Sequence, residues 1–116
     1  MSLGGMHEAP ISGDILFAAL AACQDSAVRM VANFLGVELE FLEVEVTAEV
    51  YERGSMAVDR KVPVGFQSMR CNVRLRAKDG TNPEHLKMLR VAAEHCCIAL
   101  QTLRTPPPIE TTFEMP

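Results

Sequence analysis

The chain has no tryptophan and a single tyrosine, and aromatic residues make up only 5% of its 116 positions. Its core must therefore be assembled from Val, Leu, Ala and Met, and so modest a core is expected to be covered in part by a partner subunit. Basic residues are few: 11 Lys and Arg stand against 15 Asp and Glu, a net charge of −4. A nucleic-acid or anionic-membrane surface needs clustered Lys and Arg, so neither is an expected partner. Long uninterrupted apolar runs are lacking too. Asp25 and Arg29 break the longest one before it reaches the roughly 18 residues of a membrane span. No basic stretch leads into an apolar core and cleavage site, so nothing marks secretion. There is no GxSxG, no phosphate-cradling glycine loop and no nucleotide fingerprint. Short CxxC spacings are also missing, which argues against a tetrahedral zinc site despite His95 beside a cysteine pair. At this length the chain is one domain, 1–116, of which Met1–Leu3 reads as a leader.

What is present is four cysteines in a cytoplasmic-type context, where thiols stay reduced. Two of them sit in alanine-rich apolar runs, Cys23 in LFAALAACQDSAVRMVANFLG and Cys97 in AAEHCCIALQTL. Residues 4–13 read as loop, with Ser12 or Asp14 placed to cap a helix. A helix is expected from about Ile15 to Leu35, stopped by Gly36. Its apolar positions run almost all the way round, leaving Gln24, Asp25, Arg29 and Asn33 as a thin polar edge, so most of it should be buried.

The period then switches to two. Val44, Val46, Ala48 and Val50 alternate with Glu43, Glu45, Thr47 and Glu49, a half-buried strand. Glu52–Gly65 is a connection. A second strand places Met69, Cys71, Val73, Leu75 and Ala77 on one face and Arg70, Asn72, Arg74, Arg76 and Lys78 on the other. Acids outside one strand and bases outside the next favour antiparallel neighbours. Asp79-Gly80-Thr81 turns the chain, and Asn82-Pro83-Glu84 starts a second helix expected to run to about Leu103. Pro106-Pro107-Pro108 then spaces off a last short strand, Ile109 to Met115. The order helix, two strands, helix, strand gives an α+β fold with both helices packed on an antiparallel sheet.

Each thiol has an ordinary reading as a small core hydrophobe. Cys71, on an apolar strand face, and Cys96, central in the leucine stripe of the second helix, fit it best. Cys23 has no activating cation nearby in sequence, since Arg29 lies more than a turn away on a different face. Cys97 lies at the margin of its stripe, where a side chain can meet another helix. If Cys23 and Cys97 meet across a helix–helix contact, they form a pair able to cycle between dithiol and disulfide. The exposed acids of the first strand and His7 and His85 read as solvated.

Together, SGDILFAALAAC and EHCCIALQTL resemble the OsmC/Ohr family of thiol peroxidases, the osmotically inducible and organic hydroperoxide resistance proteins. GGMHEAPISGD is similar to that family's entry into its first cysteine helix, and DGTNPEHLKMLRVAAEHC to the approach to its second. The resemblance covers roughly residues 4–115. It implies an OsmC-like α+β fold with two long central cysteine-bearing helices, an intertwined homodimer, and reduction of organic hydroperoxides in oxidative stress defence. By the same resemblance Cys23 is the peroxidatic thiol and Cys97 resolves its sulfenic acid as a disulfide, which a dithiol of lipoyl type later reduces. No cofactor is called for.

Three departures from the family pattern bear on that expectation. The family places a Glu ten residues before the first cysteine, where this chain has Gly13, with Asp14 next to it. It supplies an Arg from N-terminal strands, which are read as missing here, because the chain starts at the connection into the first cysteine helix. Ile98 follows Cys97 where a Pro is common. The alternative expectation is therefore an OsmC-fold protein that binds an apolar ligand, or senses oxidant, without turnover.

Overall fold

A computed structural model describes residues 12–50, 61 and 65–116. Of the loop read at 4–13, residues 4–11 lie outside the described residues, while Ser12 and Gly13 already belong to the first helix, which starts three residues before the expected Ile15. Most of the connection read at 52–65 also lies outside. Five elements follow in order: α1 (Ser12–Leu35), β1 (Leu39–Val50), β2 (Phe66–Ala77), α2 (Pro83–Cys96) and α3 (Ile98–Arg104). This is the α+β arrangement that the alternation of periods predicts.

Helix α1 ends as its sequence requires. Gly36 takes φ 72°, a left-handed conformation that costs glycine nothing, and Val37 N–H returns to the Ala32 carbonyl at 2.8 Å. By length and mean hydropathy α1 is the one helix among the described residues that could cross a bilayer. Here one face of it builds the core, while Ile15, Met30 and Phe34 are exposed, so less of it is buried than its all-round apolar pattern predicts. Val28, Val31 and Ala32 pack with Val37 of the following loop and with Leu89 and Ala93 of α2, flanked by Leu42 and Val73 from the strands. A second cluster, Leu20, Ala27 and Cys97, continues the core toward the N-terminal half of α1, with Cys23, Cys71 and Leu100 packed against it.

Strands β1 and β2 pair antiparallel, with Val44 opposite Val73 and Val46 opposite Cys71. The complementary outer faces meet as ion pairs, Arg74–Glu43 at 2.7 Å, Arg76–Glu40 at 3.5 Å and Lys78–Glu38 at 3.6 Å. All are exposed, so they fix register more than they stabilise. Phe66, opening β2, stacks on Phe17 of α1 at 4.6 Å between centroids, tying the ribbon to the helix.

Two expectations fail. Ile109–Met115 forms no ladder among the described residues; Ile109, Phe113 and Met115 are 83%, 80% and 83% exposed. The three prolines before it have no N–H to donate and carry the chain away from the ribbon. The second helix is not continuous to Leu103 either. It stops at Cys96, Cys97 turns extended (φ −79°, ψ 104°), and α3 begins at Ile98. The break holds because freed backbone groups find partners. Gln101 Nε2 donates to the Glu94 carbonyl at 2.9 Å, Gln101 N–H donates to the Cys97 carbonyl at 3.0 Å, and Arg104 reaches the Glu94 carboxylate at 3.0 Å.

Candidate functional site

The break at Cys97 builds the site. Were α2 continuous, the N–H groups of residues 98–100 would be spent on carbonyls one turn back. In the kinked chain they open a new helix, and the first N–H groups of any helix have no intrahelical acceptor. Ala99 N–H donates to Cys23 Sγ at 3.5 Å. The thiol of α1 thus meets a backbone donor that lies 76 residues further along the chain.

Cys23 packs against the cluster that contains Cys97, and each thiol influences the other's ionisation. The contact acts in opposite directions on the two thiols. Cys23 is held below the ordinary thiol range, first by the Ala99 N–H and then, against the opposing effect of burial, by the Cys97 S–H and the Ile98 N–H. Cys97 is pushed up, chiefly by burial and further by Cys23, with the Leu100 N–H opposing. Cys97 has no exposed surface, whereas Cys23 is half-buried. One sulfur is therefore inclined to be a thiolate within reach of solvent, and its neighbour is an enclosed thiol inclined to stay protonated. Both cysteines are free.

The helices bring Cys23 and Cys97 together, and Cys23 is lowered by something other than the cation looked for in its sequence neighbourhood. Its stabilisers are backbone donors and a thiol, where a guanidinium was sought. Arg29 is turned to Asp25 at 2.8 Å on the exposed edge of α1. At Gly13, where the family pattern has a Glu, a Cβ would lie 3.0 Å from the Phe66 ring, so a side chain there must displace that aromatic contact. Cys96, adjacent in sequence, is exposed, and Cys71 packs against the Cys97 cluster from the strand side, its thiol pushed up by burial. Among the described residues no group of three or more His, Cys, Asp or Glu could hold a metal.

Two residues depart from their sequence reading: Cys96, expected in the core, is exposed at the end of α2, and Gln24 is buried. Gln24, placed on the polar edge of α1, is only 4% exposed. It shares a face with Leu20 and Val28 at helical spacing and, with them, lines a cleft of about 1210 Å³ between α1, β2, α2 and α3. The one signal for this was the i, i+4 placement of Gln24 between two core residues.

A protein-family profile described as OsmC-like protein matches residues 5–112. The chain belongs to the OsmC-like family. Solved structures agree in fold. An OsmC-like hydroperoxide resistance protein from Jannaschia sp. CCS1 superposes with a TM-score of 0.73 at 22% identity, over 99% of this chain and 72% of that one. An OsmC-like protein from Mycoplasma pneumoniae gives 0.72 at 14% identity, over 90% of this chain and 70% of that one. An organic hydroperoxide resistance protein OsmC from Legionella pneumophila gives 0.55 at 25% identity, over 88% and 67%. Comparison with curated proteins gives no match. In this OsmC-like chain the two cysteine-bearing helices expected of the family are α1 and the broken α2–α3 pair.

Proposed function

We propose that this OsmC-like protein is a thiol peroxidase that reduces organic hydroperoxides through a Cys23/Cys97 dithiol–disulfide cycle, in oxidative stress defence. The observation that carries the reading is the packed thiol pair, with Cys23 lowered by the Ala99 N–H and Cys97 enclosed and raised beside it. Cys23 thiolate attacks the distal oxygen of ROOH; the O–O bond breaks, Cys23 becomes a sulfenic acid, and the alkoxide takes a proton and leaves as ROH. Cys97 then attacks the Cys23 sulfur, forming the disulfide and releasing water with the Cys97 proton. A dithiol of lipoyl type restores both thiols. The opposed ionisation of the pair suits this order, since only the first nucleophile needs to be a thiolate at rest.

The functional unit is a homodimer in this reading, located in the cytoplasm. The single chain has a radius of gyration of 18.2 Å, above the roughly 13 Å of a compact domain of this length. Phe34, Val91, Ile98, Ile109 and Phe113 leave large apolar surface exposed, which a second copy would cover. Light scattering coupled to size exclusion should return twice the chain mass; a monomer at micromolar concentration contradicts this part.

Consumption of cumene hydroperoxide with dihydrolipoamide or dithiothreitol tests the activity. Turnover is expected from wild type and lost in Cys23→Ser; equal consumption by both abandons the enzyme reading. A second reading, an OsmC-fold protein that binds an apolar ligand or senses oxidant, is favoured by the apolar cleft and by Gly13 in place of the family Glu. It predicts a single oxidation of Cys23 without turnover.

A further inference from the structure

The cleft holds groups that the Cys23/Cys97 cycle leaves unused. Among the described cysteines, Cys71 is the one in its wall, alongside Gln24, Glu94 and Arg104. Cys71 also packs against the cluster that contains Cys97, so it borders that cluster on one side and the cleft on the other. Gln24 is buried, and its Oε1 has no hydrogen-bond partner among the described residues although it borders this space. An enclosed amide oxygen with nothing to accept from is costly, which points to a ligand that brings an N–H or O–H. The rest of the wall is mostly apolar. The Glu94–Arg104 pair, at 3.0 Å, stands near Cys71 with both signs of charge.

We propose that Cys71 is a third redox thiol, taking the disulfide from Cys23–Cys97 to the cleft wall, where a dithiol with an apolar arm and an amide or hydroxyl donor reduces it. The proposal rests on the redox half of the preceding reading and adds the route by which electrons enter. Cys71 thiolate attacks Cys97 Sγ of the disulfide; the Cys71–Cys97 bond forms, the Cys23–Cys97 bond breaks, and Cys23 leaves as thiolate while the Cys71 proton passes to water in the cleft. No net electrons move in this step. The entering dithiol then supplies two electrons and two protons, becoming a disulfide itself and returning Cys71 and Cys97 to thiols.

The direction follows from thiol chemistry. Exchange is favoured when the departing sulfur is the more acidic one. Its rate also needs the attacking sulfur as thiolate, so with Cys71 pushed up the step should speed as pH rises. Cys23 is the acidified member, and Cys71 is pushed up by burial and by Glu94, with Arg104 opposing. Cys97 is fully enclosed, so a reductant entering the cleft meets Cys71 first. Gln24 Oε1 accepts the donor on the arm and holds the dithiol over that sulfur.

The test loads the disulfide with diamide, so that it does not depend on peroxide turnover. In Cys23→Ser, diamide should link Cys71 to Cys97, seen as one cross-linked peptide pair after alkylation and digestion. In diamide-oxidised protein, Cys71→Ala should slow reduction by dihydrolipoamide by about tenfold or more, with the folded state checked by circular dichroism. Gln24→Leu should raise the half-saturating dihydrolipoamide concentration several-fold while leaving reduction by tris(2-carboxyethyl)phosphine, which is not a dithiol, unchanged. Free Cys71 and Cys97 in oxidised Cys23→Ser, or wild-type reduction rates in Cys71→Ala, overturn the proposal even if peroxide turnover stands. Conversely, failed turnover with a mapped Cys71–Cys97 bond removes the peroxidase reading and keeps the thiol relay.

Discussion

Replacing Ala99 by proline removes one hydrogen atom that the account makes central. The Ala99 N–H is the largest single influence lowering Cys23. As the second residue of α3 it lies in a helical first turn, where a missing N–H breaks no helical bond. Proline disfavours helical geometry at Ile98 before it, a modest cost in overall stability. A hydrogen bond to a charged group contributes about 1.5–3 kcal/mol in mutational series. The sulfur contact here is long, 3.5 Å, and Cys23 is half-exposed so that water replaces part of what is lost. About 1 kcal/mol is the reasonable figure after that screening. That loss moves Cys23 up and leaves about fivefold less thiolate at pH values below its midpoint. The thiolate that does form is more nucleophilic, by about twofold for that shift. Iodoacetamide labelling of Cys23 against pH should therefore show crossing curves. Ala99→Pro reacts more slowly than wild type near neutrality and faster on the alkaline plateau. Ala99→Gly, which keeps the N–H, should follow wild type. Superimposable profiles for Ala99→Pro and wild type would refute the backbone-donor account of Cys23.

Three other outcomes are expected. Because Cys23 is lowered and Cys97 raised, labelling as pH rises should modify Cys23 first, with its half-maximum below the ordinary thiol range, and Cys97 only above that range; mass-resolved peptide kinetics check the order. Cys97→Ser should let peroxide drive Cys23 past the sulfenic stage, adding about 32 Da as sulfinic acid, where wild type stops at the disulfide. Leu89→Ala, at a site 1% exposed in the main cluster, should lose about 2–5 kcal/mol in urea unfolding, whereas Glu43→Gln, breaking the exposed pair with Arg74, should lose less than about 1 kcal/mol.

Legibility in the sequence followed the physics of each element. The period-two alternation at Val44–Val50 and Met69–Lys78 revealed both strands, and the opposite charges on their outer faces gave their pairing. Gly36 and Asn82-Pro83 marked helix ends because their stereochemistry is local, and the Asn82 side chain does accept from Glu84 N–H at 2.9 Å. The break at Cys97 had no local mark. A proline at position 98 would have forced the preceding residue out of helical geometry, but Ile98 carries no such signal. What fixes the break is a tertiary set of bonds from Gln101 and Arg104 back to Glu94. The activation of Cys23 was hidden for the same reason: its donor is a backbone N–H freed by that break. Ile109–Met115 alternates like a strand yet pairs with nothing among the described residues, since a ladder needs a neighbour that sequence patterning does not supply.

Peptide mapping of the wild-type protein after stoichiometric cumene hydroperoxide tests the central claim most directly. Expected are the loss of two free thiols, a mass decrease of about 2 Da, and a linked peptide pair that joins Cys23 to Cys97 ahead of any other bond. Oxygen added to Cys23 while Cys97 remains a free thiol would contradict it.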